Sequence, residues 1–271
     1  MAATRPPLLL AAAAAVALLS FPTVAAAAPS LRAAALPPPA SASSAAAPAN
    51  LTVVLLGDSL INRPFEMFNL SQLLTNLTEP PPGTNLVFVN SGDNGQEIKD
   101  IYARTAAVLA QYAPVWGVVL FWDSDCSNID ESVLTPQQVA ALRANYSANL
   151  LATERLVLAA TPRLAVAGPE LLGEGPLGLP GRFANKTQML DDYRVLTRAA
   201  ADEVGVPYID MRQAFLDDIP AWWLIYAGWV TIDGEHPNDR GTKIEAELFA
   251  TTINGWLREP PAAAGGVRAQ G

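Results

Sequence analysis

Five short apolar segments alternate with longer segments of helical periodicity along most of the chain. The apolar segments are rich in β-branched residues and bounded by turn-forming residues, a pattern typical of strands that are covered on both faces. The predicted strands are Leu51–Leu56, Asn85–Asn90, Trp116–Trp122, Arg163–Gly168 and Val206–Asp210. This order predicts an α/β protein, a three-layer α/β/α sandwich built on a five-stranded parallel sheet.

The helical segments lie between and after these strands. They cover 65–77, 96–112, 135–160, 186–204 and 238–257. Thr135 followed by Pro136 marks the clearest helix start, because threonine caps a first turn and proline fits its first position. In an open parallel sheet, ligands bind beyond the carboxyl ends of the strands. The residues that follow each strand are therefore the candidates for a functional site.

The two ends of the chain differ from the predicted folded domain at 51–258. Residues 1–28 contain an arginine, an apolar run and small residues, the pattern of a secretory signal peptide. The apolar run is short for a spanning helix, which needs about 20 residues. We therefore expect a secreted protein without a membrane span, and an uncleaved signal anchor is the alternative. Residues 29–50, rich in Ala, Pro and Ser, and the tail 259–271 are predicted to be disordered.

Sequons for N-glycosylation are consistent with the secretory route. Five of them begin at Asn50, Asn69, Asn76, Asn145 and Asn185. One such tripeptide is weak evidence, but five behind a signal peptide predict a glycosylated surface.

Charge and cysteine content exclude some classes of protein. The formal net charge is −9 and no basic cluster is present, so nucleic acid is not expected as a partner. Cys126 is the only cysteine, which excludes an intramolecular disulfide and leaves stability to the core. We expect a monomer.

Polar residues follow several of the predicted strands. Asp58 and Ser59 follow the first strand, and the turn Asn90–Gly95 follows the second. The third strand continues into Asp123–Asp125. These residues are expected at one edge of the sheet, where a serine can be either a helix cap or a nucleophile.

His236 is the only histidine in the chain, and Asp233 precedes it by three residues. If the protein is a hydrolase that uses serine and histidine, His236 must be the general base. A carboxylate three residues earlier can reach one ring nitrogen and leave the other to accept the proton of Ser59. Taken alone, a single histidine beside a proline is more often a surface or capping residue.

The motif Gly57-Asp58-Ser59-Leu60 at the end of the first strand, with Asp233-x-x-His236 before the last helix, resembles the GDSL or SGNH hydrolases. The resemblance covers the predicted domain in order and spacing. It implies a flavodoxin-like fold and a serine esterase, with Ser59, Asp233 and His236 as the catalytic triad. Asp58 and Asp125 would support the active-site turns.

The resemblance also implies an oxyanion hole. The N–H groups of Ser59 and Gly95 would donate to the oxyanion, and Gly92 is the alternative glycine because the turn can be aligned three residues earlier. The family pattern Gly-x-Asn-Asp is replaced by Trp122-Asp-Ser-Asp, so that Ser124 stands where an asparagine is expected. Ser124 is therefore the candidate side-chain donor, with a shorter reach than an asparagine amide.

No cofactor or metal is expected. The stretch from Asp123 to Leu134 does not fit a calcium loop of the EF-hand type, because it lacks the central glycine and the final glutamate. A looser site made of Asp123, Asp125 and Asp130 is the remaining alternative.

The expected activity is hydrolysis of carboxylic esters, with an acetylated polysaccharide, a short-chain ester and a lipid all open as substrates. The alternatives are acyl transfer to a sugar hydroxyl and a non-catalytic carbohydrate-binding protein with this fold. An aromatic stretch at 221–230 is either a wall of the substrate pocket or part of the core.

Overall fold

The computed structural model describes residues 49–63, 69–173, 186–220 and 228–259. The predicted signal peptide, most of the linker, most of the tail, Asn185 and the aromatic residues 221–227 lie outside the described residues.

The described chain contains five strands and seven helices. The strands are β1 Ala49–Gly57, β2 Thr84–Gly92, β3 Val115–Phe121, β4 Leu164–Ala167 and β5 Tyr208–Ile209. The helices are α1 Leu70–Leu77, α2 Ile98–Gln111, α3 Ser124–Asn128, α4 Pro136–Ala160, α5 Thr187–Val204, α6 Met211–Asp218 and α7 Asp239–Arg258. A short 3₁₀ turn covers Glu131–Val133 between α3 and α4.

The five strands form one parallel sheet in the order β2-β1-β3-β4-β5. The predicted α/β class, parallel sheet and flavodoxin-like strand order are therefore confirmed. The order reverses at β1, and this switch point lies between β1 and β3, where open sheets of this type bind ligands.

The core consists of two apolar clusters, one on each face of the sheet. Val54 and Leu56 of β1 belong to the cluster that includes residues of α2, α4 and α5. Val53 and Leu55 belong to the other, with residues of α1, α6 and α7. Adjacent residues of a strand point to opposite faces, so a continuous apolar run fills both clusters and produces the three layers.

The predicted helix start at Thr135 is present. Its side chain accepts a hydrogen bond from the N–H of Gln138, and the Gln138 side chain accepts one from the N–H of Thr135. This capping box satisfies N–H groups at the first turn of α4. Helices α3 and α6 were not predicted from the sequence.

Strand register brings four chain turns to one edge of the sheet. Gly57 at the end of β1 is paired with Gly92 of β2 on one side and Phe121 of β3 on the other. Phe121 is paired in turn with Ala167 of β4. The residues that follow these strands therefore begin at the same level.

Candidate active site

Ser59, His236 and Asp233 form a connected row at this edge. The Oγ atom of Ser59 lies 3.0 Å from Nε2 of His236. The Nδ1 atom of His236 lies 2.7 Å from Oδ2 of Asp233. A carboxylate beside Nδ1 holds that nitrogen in its protonated form, so Nε2 is left to accept the proton of Ser59.

The loop that carries His236 is fixed by backbone and side-chain bonds. The N–H of Ile232 donates to the carbonyl of His236, and Thr231 pairs with Pro237 in an antiparallel bridge. Oδ1 of Asp233 accepts bonds from the N–H groups of Glu235 and His236. One carboxylate therefore orients both the backbone and the ring of His236.

The charge of Asp233 is stabilised by these contacts. Burial raises the pKa of Asp233, but the bonds from the ring and N–H of His236 and from the N–H of Glu235 outweigh burial. The net effect holds the pKa of Asp233 below its usual value. Asp233 is therefore ionised at neutral pH and can stabilise a positively charged imidazole.

Asp58 links the turn after β1 to the turn after β3. Its Oδ1 accepts a bond from the N–H of Leu60, and its Oδ2 accepts bonds from the N–H groups of Asp123 and Ser124. The Ser124 hydroxyl also donates to Oδ2, at 2.6 Å. Burial raises the pKa of Asp58, and these four bonds lower it in part. Asp58 therefore connects the turns after β1 and β3 and fixes the turn on which Ser59 lies.

The position of Ser124 differs from the expectation for an oxyanion donor. Ser124 is buried, and its hydroxyl donates to Asp58. A hydroxyl has one hydrogen to donate, so this bond and a bond to a substrate oxyanion exclude each other.

The structure separates the two candidate glycines. The N–H of Gly92 donates to Asn90, and a Cβ atom on Gly92 would lie 2.3 Å from the backbone nitrogen of Asn62. Gly92 is thus required for the close approach of two chain turns. Gly95 lines the same cavity as Ser59 and His236 and has a φ angle of +73°, which glycine adopts most easily.

Asp125 connects α3 to the start of α2. Its Oδ2 accepts bonds from the N–H of Ile98 at 2.7 Å and from Nε1 of Trp122 at 2.9 Å. Burial raises the pKa of Asp125 to about 7, although both bonds lower it in part. The Asp125 side chain thus supports the turn that leads from Gly95 into α2.

The raised pKa of Asp125 gives a prediction for stability against pH. The unfolded chain ionises Asp125 near pH 4, whereas the folded protein keeps it protonated up to about pH 7. The folded state therefore binds the extra proton, and its free energy of unfolding falls as the pH rises from about 4 to about 7, by on the order of 4 kcal/mol from this group. Asp125→Asn should remove that fall. Urea unfolding across this pH range measures it.

The asparagine side chain of the Asp125→Asn variant can still accept both bonds, since both go to one oxygen of Asp125. Other buried carboxyls titrate in both proteins, so the difference between the wild type and the variant isolates Asp125. Two curves that stay parallel across the range would contradict the prediction.

Some residues that line the cavity around Ser59 and His236 were not identified from the sequence. A cavity of about 360 Å³ surrounds the row of three residues. Its described lining includes Asn62, Arg63, Asn94, Asn128 and Glu235 besides the predicted residues. Asn62 and Arg63 lie two and three residues after the GDSL motif, and this proximity was the available signal for them. Asn128 is four residues after Ser124, one turn further along the chain.

Buried charged side chains adjoin the cavity at Arg63. Arg63 pairs with Glu245 of α7, with 2.5 Å between the two groups, and both side chains are almost fully buried. Burial raises the pKa of Glu170, and the nearby Glu245 and Asp123 carboxyls raise it further. The contact with Arg63 offsets part of the cost of burying the Glu245 carboxylate.

Arg104 of α2 joins the ends of β1 and β2. One of its terminal nitrogens donates to the carbonyl of Gly57 at 2.7 Å and to the carbonyl of Ser91 at 2.9 Å. Gly57 directly precedes Asp58, so this side chain also supports the turn of Ser59.

The described residues contain no group of three or more His, Cys, Asp or Glu side chains that could hold a metal ion. Within the same residues, no helix is long and apolar enough to cross a membrane.

Comparison with known proteins identifies the fold. No model of a known protein family matches the sequence, and no curated protein matches it. Among solved structures, an α/β hydrolase from the metagenome of Lake Arreo, Spain, is similar, with a TM-score of 0.58, 20% identity and coverage of 78% of this chain and 98% of that chain. The lipase/acylhydrolase of Enterococcus faecalis has a TM-score of 0.58 and 18% identity, over 78% of this chain and 100% of that chain.

The acetylxylan esterase of Geobacillus stearothermophilus is a third similar structure. It has a TM-score of 0.56 and 20% identity, over 76% of this chain and 96% of that chain. Two further structures of that esterase are described as catalytic mutants, one with alanine in place of a serine and one with alanine in place of a histidine. At these identities, the comparisons show that the chain shares the fold of these enzymes.

Proposed function

We propose that this chain is a carboxylic ester hydrolase of the SGNH type with Ser59 as its nucleophile. The observation that carries the proposal is the unbroken row from Ser59 through His236 to Asp233, with separations of 3.0 and 2.7 Å. The row lies in a cavity at the carboxyl edge of a parallel sheet, where such folds bind ligands. The esterases with the same fold support this proposal.

The reaction begins when Nε2 of His236 takes the proton of Ser59 as Oγ bonds to the ester carbonyl carbon. The N–H groups of Ser59 and Gly95 donate to the oxyanion that forms on the carbonyl oxygen. His236 then gives its proton to the leaving alcohol as the carbon–oxygen bond breaks, and an acyl-enzyme remains.

Water completes the cycle by the same chemistry. His236 takes a proton from a water molecule as its oxygen attacks the acyl carbon, and returns the proton to Oγ of Ser59 as the acid leaves. Asp233 stays ionised throughout and stabilises the imidazolium.

The lining of the cavity favours a small acyl group on a polar alcohol. Among the described lining residues, Ile232 and Pro237 provide the larger apolar side chains, whereas three asparagines can exchange hydrogen bonds with hydroxyl groups. A long acyl chain would need an extended apolar channel. We therefore infer an acetyl or similarly short ester of a hydroxyl-rich compound, such as a carbohydrate.

A labelling experiment and a substrate series test this function. The wild-type protein should react covalently with a fluorophosphonate probe and hydrolyse p-nitrophenyl acetate, and Ser59→Ala should lose the labelling. Longer p-nitrophenyl esters should be poorer substrates, by at least about tenfold in kcat/KM. A wild-type protein that neither labels nor cleaves the acetate would refute the proposal and favour a non-catalytic binding protein.

Acyl transfer uses the same acyl-enzyme and differs only in its acceptor. Product analysis with an acetylated oligosaccharide in the presence of a second sugar separates the two: free acetate indicates hydrolysis, and a newly acetylated sugar indicates transfer. We expect free acetate.

We also propose that the protein enters the secretory pathway and is glycosylated. The proposal is supported by the signal-peptide pattern at residues 1–28 and by the exposure of the asparagines of four sequons, at Asn50, Asn69, Asn76 and Asn145. Expressed in a eukaryotic host, the protein should appear in the medium and lose apparent mass after glycosidase treatment. Retention inside the cell at an unchanged mass would contradict this.

A further inference from the structure

The oxyanion hole of the proposed enzyme lacks an evident side-chain donor at the position the family pattern gives it. That pattern has an asparagine at the position of Ser124, and the Ser124 hydroxyl donates to Asp58. Backbone N–H groups alone would then face the developing charge. Loss of one such donor costs about 10²–10³ in rate, so the source of a replacement matters.

Asn128, the last residue of α3, lies beside Gly95. It lines the same cavity as Ser59 and His236. Its Nδ2 atom donates to the carbonyl of Gly95, with a long separation of 3.3 Å. The amide nitrogen is therefore next to the residue whose N–H we assign to the oxyanion hole.

Lys186 fixes the backbone on both sides of Asn128. Its buried Nζ atom donates to the carbonyls of Cys126 at 2.5 Å, Ser127 at 3.0 Å and Ile129 at 2.6 Å. A five-residue helix has little stability of its own. A charged group bonded to three carbonyls holds this turn in place and satisfies its C-terminal acceptors.

We propose that Asn128 supplies the side-chain donor of the oxyanion hole and that Lys186 is its positioning residue. This inference rests on the function proposed above. In the resting protein the amide makes a long bond to a neutral carbonyl. In the transition state the negatively charged oxygen is a stronger acceptor, so the amide binds the transition state more tightly than the ground state, which lowers the barrier.

Replacement of Asn128 tests the donor. Asn128→Ala should lower kcat by about 10²–10³ and leave KM within about threefold. Asn128→Asp, which adds a negative charge and removes the N–H groups, should lower kcat further. Asn149→Ala is the matched control, because Asn149 also donates from Nδ2 to a backbone carbonyl, in α4. The control should keep the wild-type kcat.

Ser124→Ala separates this proposal from the family pattern. If the Ser124 hydroxyl were the donor, its removal would lower kcat by the larger factor and Asn128→Ala would have little effect. That result would overturn the proposal while leaving the esterase function intact. An inactive wild type would instead refute the esterase function itself.

A double-mutant cycle tests Lys186. Lys186→Met should lower kcat in the wild type but have almost no effect on kcat in the Asn128→Ala background, because Lys186 acts through Asn128. Its effect on stability should be the same in both backgrounds. Lys186→Gln, which keeps N–H donors, is the milder variant if methionine prevents folding. Equal kcat losses in both backgrounds would show that Lys186 does not act through Asn128.

Discussion

Alanine at His236 should reduce kcat for p-nitrophenyl acetate by about 10⁵, and alanine at Ser59 should have an effect of similar size. In the proposed reaction the two residues perform one step: Oγ of Ser59 attacks only as Nε2 of His236, 3.0 Å away, takes its proton. A chain with no other histidine has no second imidazole to replace it. Steady-state hydrolysis with the purified variants measures both losses.

A variant that carries both substitutions tests whether Ser59 and His236 act as a unit. Since each substitution alone disables the same proton transfer, Ser59→Ala combined with His236→Ala should be no slower than the slower single variant. Losses that multiply would mean that the two residues act independently and that the row is not a catalytic unit. Folding is checked by melting temperature, which should change little because both side chains lie at the cavity rather than in the core.

Much of the fold could be predicted because the central strands β1, β3 and β4 are buried on both faces toward their carboxyl ends. A buried parallel strand needs an apolar residue at every position, and β1 and β3 stand out from their neighbours for that reason. Helix α6 was not predicted because β5 has only two residues and only Asp210 separates it from α6, so the sequence shows no clear boundary between them. Asp210 caps α6 by accepting a bond from the N–H of Gln213, so the last residue of the predicted strand is in fact a helix cap.

Helix α3 could not have been predicted from local sequence. Its five residues are mostly polar, and Lys186, 60 residues after Cys126, holds its carbonyls. The proposed nucleophile and base could be identified because the chain has one GDSL motif and a single histidine. The proposed oxyanion hole was harder to predict, because the direction of the Ser124 hydroxyl is set by Asp58, 66 residues earlier. Such long-range bonds leave no periodic signal in the sequence.

Asp58→Ala should be the most damaging substitution for stability at this edge of the sheet. It removes the acceptors of four bonds, from the N–H groups of Leu60, Asp123 and Ser124 and from the Ser124 hydroxyl. A buried donor without an acceptor costs about 1–3 kcal/mol, so a loss on the order of 4 kcal/mol or more is expected. Urea unfolding measures it.

Two milder variants divide this effect. Asp58→Asn keeps one carbonyl oxygen, which can retain the three bonds to Oδ2. Its amide NH₂ group then faces the N–H of Leu60, which loses its acceptor. We expect Asp58→Asn to lose about half as much stability as Asp58→Ala. Ser124→Ala removes a single hydroxyl bond and should cost about 1 kcal/mol, with a smaller effect on kcat than Asn128→Ala. A Ser124→Ala protein of wild-type stability but strongly reduced kcat would instead place the Ser124 hydroxyl at the oxyanion. These three variants therefore decide between two roles for the polar residues after β3. Either they stabilise the fold through their bonds to Asp58, or they take part in the reaction directly.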